Sequence, residues 1–294
     1  MQALYAYYKH AGDTSINEIQ KELSFSINKT YDLYHYLLLL PIDLVNYCEK
    51  RIEIAQNKKL PSPEDLNPNK RFINNRIINQ IRINNELLRY VEIKKLSWVN
   101  NRELIKGIYQ LLTEYDAYNE YMTTEEDSYK NDKAIVTKLY KNIISKYEPL
   151  YTDLEEQSIY WNDEVEFVLS AIIKTIKKFQ QEEAENAPLL KLYKSEEDEG
   201  FAKILFRKVI LNQKEYKQYI ENFSKNWEFD RIAFMDILLL EMAIAEAIEF
   251  KSIPLKVTFN EYIELSKFYS TKKSNVFING VLDKIFNHLK DEKV

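Results

Sequence analysis

Two carboxylates three positions apart, Glu261 and Glu264 in NEYIELSK, fall on one face of any helix built there, the arrangement a paired acid and base would need. Glu241 and Glu246 lie in an otherwise apolar stretch, where burial raises a carboxyl pKa unless a partner offsets it. Lys256 and Lys267 are close by in sequence, so these acids read best as structural, neutralised by lysine and tying helix ends together. Cys48, the single cysteine, sits in LVNYCEK with no basic pair to activate it and is expected to be a buried or inert thiol. His10, His35 and His288 are isolated from one another. No H-E-x-x-H, Cys/His cluster, phosphate-cradling glycine loop or G-x-S-x-G occurs. The inventory points away from an enzyme, with no metal and no cofactor expected.

The rest of the composition sets the frame that such residues must occupy. The chain has 294 residues, 45% hydrophobic and 30% charged, a balance that folds around a sizeable core. Four glycines and seven prolines are too few for a protein of many tight turns, so an all-α fold is expected. A net charge of −5 means that any nucleic acid must be met by a local patch. One cysteine excludes an intrachain disulfide and suits a reducing compartment. The longest apolar run, 33–45, is broken by His35, Pro41 and Asp43 and is too short to span a bilayer. With no secretory signal either, a cytoplasmic protein is expected.

The chain opens with Met1, Leu4, Tyr5 and Tyr8 on one helical face, with no capping residue before them. Ser15 and Glu18 have the spacing of a capping box for the next helix, which Pro41 should kink or end. The proline-rich stretch 61–72 reads as a loop. From Arg71 to Leu96 the pattern predicts one helix with an Ile73, Ile77, Ile81 and Leu88 stripe. Its asparagines (Asn74, Asn75, Asn79, Asn84, Asn85) among Arg76, Arg82 and Arg89 form either a solvated face or one that touches phosphates. Further helices are expected at 98–122, 132–147 and 156–180, with Asn131 or Asp132 and Asn162 or Asp163 as caps. The acidic stretch 181–200 reads as a mobile connector. Beyond it come helices over 201–227, 230–250 (apolar nearly all round), one from Leu255, and a last one over 270–289. No fixed-period repeat emerges, which argues against a solenoid.

The block from Trp227 to Asp283 carries a resemblance. It reads W, DR, MD, LLL, MA, AEAI, then IP-x-KV-x-x-NE-x-x-E-L-x-K and F-x-NG-x-LD, through Trp227, Asp230, Arg231, Asp236, Pro254, Lys256, Asn260, Glu261, Glu264, Lys267, Ser274, Phe277, Asn279, Gly280 and Asp283. Together these resemble the C-terminal half of the NusB family of bacterial transcription antitermination factors. Gln2, Ala3, Leu4 and Tyr5 resemble the family's first helix, but the arginine-rich turn that precedes it there is absent. Met1 is therefore expected to be an internal methionine or a truncation point, the alternative being a lineage that lost the basic arm. The domain organisation expected is a first NusB-like helix over 1–11, a helical enlargement over 12–195 resembling the long Bacteroidetes-type form, and a C-terminal module over 196–294. Gly280 is expected to let helices approach closely, and Gly280 and Leu282 are expected to be packing residues.

The resemblance implies an all-helical pair of bundles that binds boxA-like single-stranded RNA of ribosomal leaders jointly with NusE, a small-subunit ribosomal protein, in the RNA polymerase antitermination complex. Carried over by position, Gln2 and Tyr5 face RNA from the first helix, and Lys9 extends that face by its spacing. Lys272, Lys273, Ser274 and Phe277 occupy the loop and helix start that approach RNA in the family, Phe277 being open to a core role as well as to stacking. Without the basic arm, boxA-like RNA is expected to bind weakly. Two other readings remain open: a protein-interaction scaffold centred on the enlargement, and a NusB-like module of the kind that precedes RNA methyltransferase domains.

Overall fold

The computed structural model describes residues 1–9, 15–224 and 231–291. Among them run fifteen α-helices with short 3-10 and π turns, and no strand. They are α1 (Gln2–Lys9), α2 (Ile16–Gln56), α3 (Pro63–Leu66), α4 (Arg76–Arg82), α5 (Asn85–Lys94), α6 (Arg102–Glu114), α7 (Asp116–Thr123), α8 (Tyr129–Lys138), α9 (Glu148–Gln157), α10 (Val165–Lys178), α11 (Glu196–Leu211), α12 (Gln213–Phe223), α13 (Phe234–Glu249), α14 (Leu255–Tyr269) and α15 (Ser274–Asp291). The chain divides into two compact units: residues 1–25 with 193–294, and residues 26–192. The all-α expectation holds.

In the unit of residues 26–192, α2 supplies the central stripe: Leu33, Leu37, Leu38, Leu40 and Leu44 are wholly buried. Of the two outcomes expected at Pro41, a kink or an end, the end does not occur: α2 runs through it. A proline has no N–H to give the carbonyl four residues back, here that of Leu37. The Tyr140 hydroxyl donates to that carbonyl instead, at 2.9 Å, and Trp98 Nε1 donates to the neighbouring Tyr36 carbonyl at 2.8 Å. Tertiary donors thus fill what the ring removes.

The helix expected over 71–96 is two helices. Asn75 caps α4, its Oδ1 accepting from Ile77 and Ile78 N–H, and Asn84 caps α5, accepting from Leu87 N–H. Both asparagines are buried, so these two amides hold helix starts rather than face phosphates. Other boundaries move for similar reasons. The loop 61–72 contains α3 with its own Ser62–Asp65 capping box, and Ser128 rather than Asn131 or Asp132 caps α8. The 98–122 stretch breaks at Tyr115, which is extended, and α8 passes into a π turn (Leu139–Ile143) and then a 3-10 turn (Ile144–Lys146). The 156–180 stretch holds the end of α9, a 3-10 turn (Ile159–Trp161) and α10.

The acidic stretch is no simple connector. Gln181–Asn186 forms a 3-10 segment with a Gln180–Glu183 capping box, and Ala187 and Leu189 are buried. Asn84 Nδ2 donates to the Ala187 carbonyl at 2.8 Å, and Leu190 N–H to the Tyr34 hydroxyl at 3.1 Å. These bonds fasten the segment to the 26–192 core. Cys48 is buried there as expected, and burial pushes its thiol up to about 12.

The unit of residues 1–25 and 193–294 is built on α13, whose residues from Leu238 to Ala247 are all buried. Leu4 and Ile19 from the start of the chain enter the same core, beside Val209 of α11, Tyr216 and Ile220 of α12, Tyr262 of α14 and Ile278, Leu282 and Ile285 of α15. The Ser15–Glu18 capping box forms as expected. The helix expected over 201–227 is two helices as far as residue 224, α11 beginning earlier at Glu196 under a Ser195 cap, and its last three residues lie outside the described ones. Trp227 and Asp230 lie outside the described residues.

Candidate nucleic-acid interface

α1 turns one face inward and one outward. Leu4 is buried, and the Tyr8 hydroxyl donates to Glu241 Oε2 in α13 at 3.4 Å. Burial pushes the Glu241 carboxyl up to about 7, against hydrogen bonds from Tyr8 and Gln213 and the nearby Lys217. The expected neutralisation by lysine occurs at Glu264, which pairs with Lys267, but Glu241 is met by Tyr8, Gln213 and Lys217 instead, and Glu246 accepts from the Tyr262 hydroxyl at 3.0 Å.

The outer face of α1 carries Gln2, Tyr5 and Lys9, all exposed. The Tyr5 ring meets Phe234 edge-on with centroids 5.6 Å apart. Lys9 Nζ lies 5.0 Å from the Phe234 centroid and 5.6 Å from that of Tyr5, within the range of cation–π attraction. Phe234 is the first residue of α13, so its ring stays partly open while the helix behind it is buried.

Two residues along α13, the buried Asp236 accepts from two hydroxyls: Ser270 Oγ on Oδ1, and Ser274 Oγ on Oδ2 at 2.8 Å. Ser274 Oγ in turn accepts from Thr271 N–H at 3.2 Å, and the Ser274 N–H donates to the Thr271 carbonyl at 2.9 Å. Asp236 therefore latches the turn between α14 and α15 to the start of α13. Lys272 and Lys273 stand exposed on that turn, and among the described residues no carboxylate pairs with either. Tyr5, Lys9, Phe234, Tyr269, Ser270 and Thr271 line one open groove of about 330 Å³. The start of the chain and the α14–α15 turn, some 260 residues apart in sequence, meet at one place.

The sequence-derived residues sort as follows. Tyr5 and Lys9 line this groove, Lys272 and Lys273 are exposed on its adjoining turn, and Gln2 is exposed on α1 outside the groove's lining. Ser274, at 2% exposure with its hydroxyl engaged by Asp236, is a latch and has no outward face. Phe277 is half-buried and packs against the core. Gly280 is exposed, and among the described residues nothing lies within 4 Å of where a Cβ would stand, so the expected close helix approach is not found there; Leu282 is core as expected. Sequence reasoning missed Phe234, which reads as the start of a buried apolar helix, and Tyr269, at the last turn of α14. Neither carries a one-dimensional signal. Among the described residues no group of three or more His, Cys, Asp or Glu could hold a metal, and no helix is long and apolar enough to cross a membrane.

Residues 163–287 match the model of the NusB family. The chain is similar to the transcription antitermination protein NusB of Salinibacter ruber, 44% identical over 92 residues, covering 31% of this chain and 58% of the relative. It is similar to the protein of that name from Natranaerobius thermophilus, 44% identical over 78 residues, covering 26% of this chain and 56% of the relative. With that of Geobacter sulfurreducens it is 40% identical over 114 residues, covering 37% of this chain and 83% of the relative. The chain thus spans little more than half the length of the first two of these relatives. No solved structure matches the chain. A relative 40% identical across 83% of its length, with the family match running through α13, α14 and most of α15, makes this chain a member of the NusB family.

Proposed function

We propose that the chain is an RNA-binding transcription antitermination factor of the cytoplasm, acting with NusE on boxA-like elements of nascent ribosomal RNA. The observation that carries the reading is the convergence of Tyr5 and Lys9 with Phe234 and the α14–α15 turn on one groove. Unpaired RNA asks for cations at phosphates and aromatic faces at bases. Lys9, Lys272 and Lys273 supply the first, Tyr5 and Phe234 the second, and Gln2 adds an amide on the same helix face. The start of α15 adds partial positive charge beside the two turn lysines. Ser274 serves the site by fixing the turn, and Phe277 by packing beneath it.

Filter binding of boxA-like RNA, with and without NusE, tests the proposal. Specific retention that NusE strengthens supports it. The double variant Lys272→Gln/Lys273→Gln should bind more weakly, with a salt dependence shallower by about one unit of slope per lost contact. Capture of NusE with no RNA retained under any salt condition would refute the RNA role and favour the scaffold reading.

A further inference from the structure

We infer that the groove holds a seat for one unpaired nucleobase, with Phe234 as the ring on which the base stacks. The inference rests on the RNA-binding reading above and adds to it a residue that the family resemblance did not supply. Phe234 is 37% exposed at the start of a helix buried from Leu238 to Ala247, and its ring meets Tyr5 and Tyr8 edge-on while part of it stays open. Tyr5 and Tyr269, 42% and 38% exposed, line the same groove. Each of these three aromatic side chains leaves more than a third of its surface open in one groove, and a planar partner would cover it. Phe277, which the resemblance left open to stacking or to a core role, is half-buried against the core and offers less.

The groove's size and polarity narrow the ligand. About 330 Å³ is at the lower end of small-ligand sites, room for one planar group and too little for a peptide helix or a duplex. Lys9 Nζ now rests over the Phe234 and Tyr5 rings, a contact that contributes about 0.5–1 kcal/mol at an exposed site. Its flexible stem lets the ammonium swing from the rings to a phosphate as a base takes its place. Ser270 Oγ is engaged with Asp236, and Thr271 Oγ1 with Ser274. The groove wall at these two positions therefore has its hydroxyls already occupied and does not use them to read base edges. The seat selects an unpaired base over a paired one, and stacking tolerates any base identity.

The test uses the full chain and short single-stranded RNAs carrying a fluorescent adenine analogue at successive positions. Wild type should change the emission strongly at one position, and Phe234→Leu should abolish that change while weakening binding roughly 5- to 100-fold. Phe234→Trp should retain both, which a merely structural role would not require. An abasic site at the same position should weaken wild type comparably and leave Phe234→Leu no weaker still. If RNA binds with its lysine-dependent salt slope, yet Phe234→Leu binds as wild type and no position responds, the seat is refuted and the RNA reading stands. If wild type retains no RNA, both fall. Should Phe234→Leu fail to fold, Tyr269→Leu and the abasic series decide the matter by the same criteria.

Discussion

Asp236 offers a prediction in which simple charge counting and the structure disagree on sign. Its carboxylate is buried and accepts from Ser270 and Ser274, which hold the turn bearing Lys272 and Lys273. Asp236→Asn keeps the shape but removes the charge and one of the two accepting oxygens. Hydrogen bonds to a charged group are stronger by about 1 kcal/mol than neutral ones, so two weakened bonds cost about 2 kcal/mol. For a chain of this size that lowers the melting temperature by about 4–8 °C. Counting charges alone, losing a negative group beside an RNA site should tighten binding. The latch requires the reverse, because a turn no longer pinned to α13 spreads its two lysines over more positions. The expected outcome is a lower melting temperature by calorimetry together with weaker RNA retention at every salt concentration. An unchanged melting temperature with tighter RNA binding would show Asp236 to be an ordinary repulsive charge and remove it from the site.

Other consequences follow from the packing. Tyr140→Phe strips the donor from the buried Leu37 carbonyl and should destabilise by about 1–3 kcal/mol; in a Pro41→Ala background, where residue 41 regains its N–H, the same change should cost much less in urea melts. The buried imidazole of His35, stacked on Tyr90 with centroids 3.8 Å apart, is held down from 6.5 to about 4 by burial. The unfolded chain therefore binds the extra proton in that window, and the 26–192 unit should lose about 3 kcal/mol as pH falls through it, a loss that His35→Leu removes in acid melts. Glu241 acts oppositely: burial raises it from 4.5 to about 7, so the folded form binds the extra proton and the unit holding α1 and α13 weakens as pH rises through that window. Hydrogen exchange followed in α13 and in α2 should show the two opposite slopes. Gly280→Ala, in an exposed helix with open space around it, should stabilise by about 0.5–1 kcal/mol in thermal melts, and a loss of stability would mean that Gly280 has a neighbour after all.

The sequence by itself determined the helical class, the burial of α13, the capping box at Ser15 and the exposure of Tyr5, Lys9, Lys272 and Lys273. Each depends on residue type and on spacings within one turn, which the chain carries locally. The turn motif with Ser274 was legible as well, but not the direction in which that hydroxyl points. Only the tertiary structure decided the rest, because in each case the deciding partner is remote in sequence. Pro41 is tolerated inside α2 because Tyr140, about a hundred residues on, lends a hydroxyl to the carbonyl that proline abandons. Asn75 and Asn84 became caps because the chain breaks there to bury apolar side chains on both sides of the breaks. Phe234 became a candidate stacking platform because α1, from the far end of the polypeptide, arrives beside it. Local periodicity fixes which face of a helix is wet; which neighbour meets that face is set by how the whole core packs.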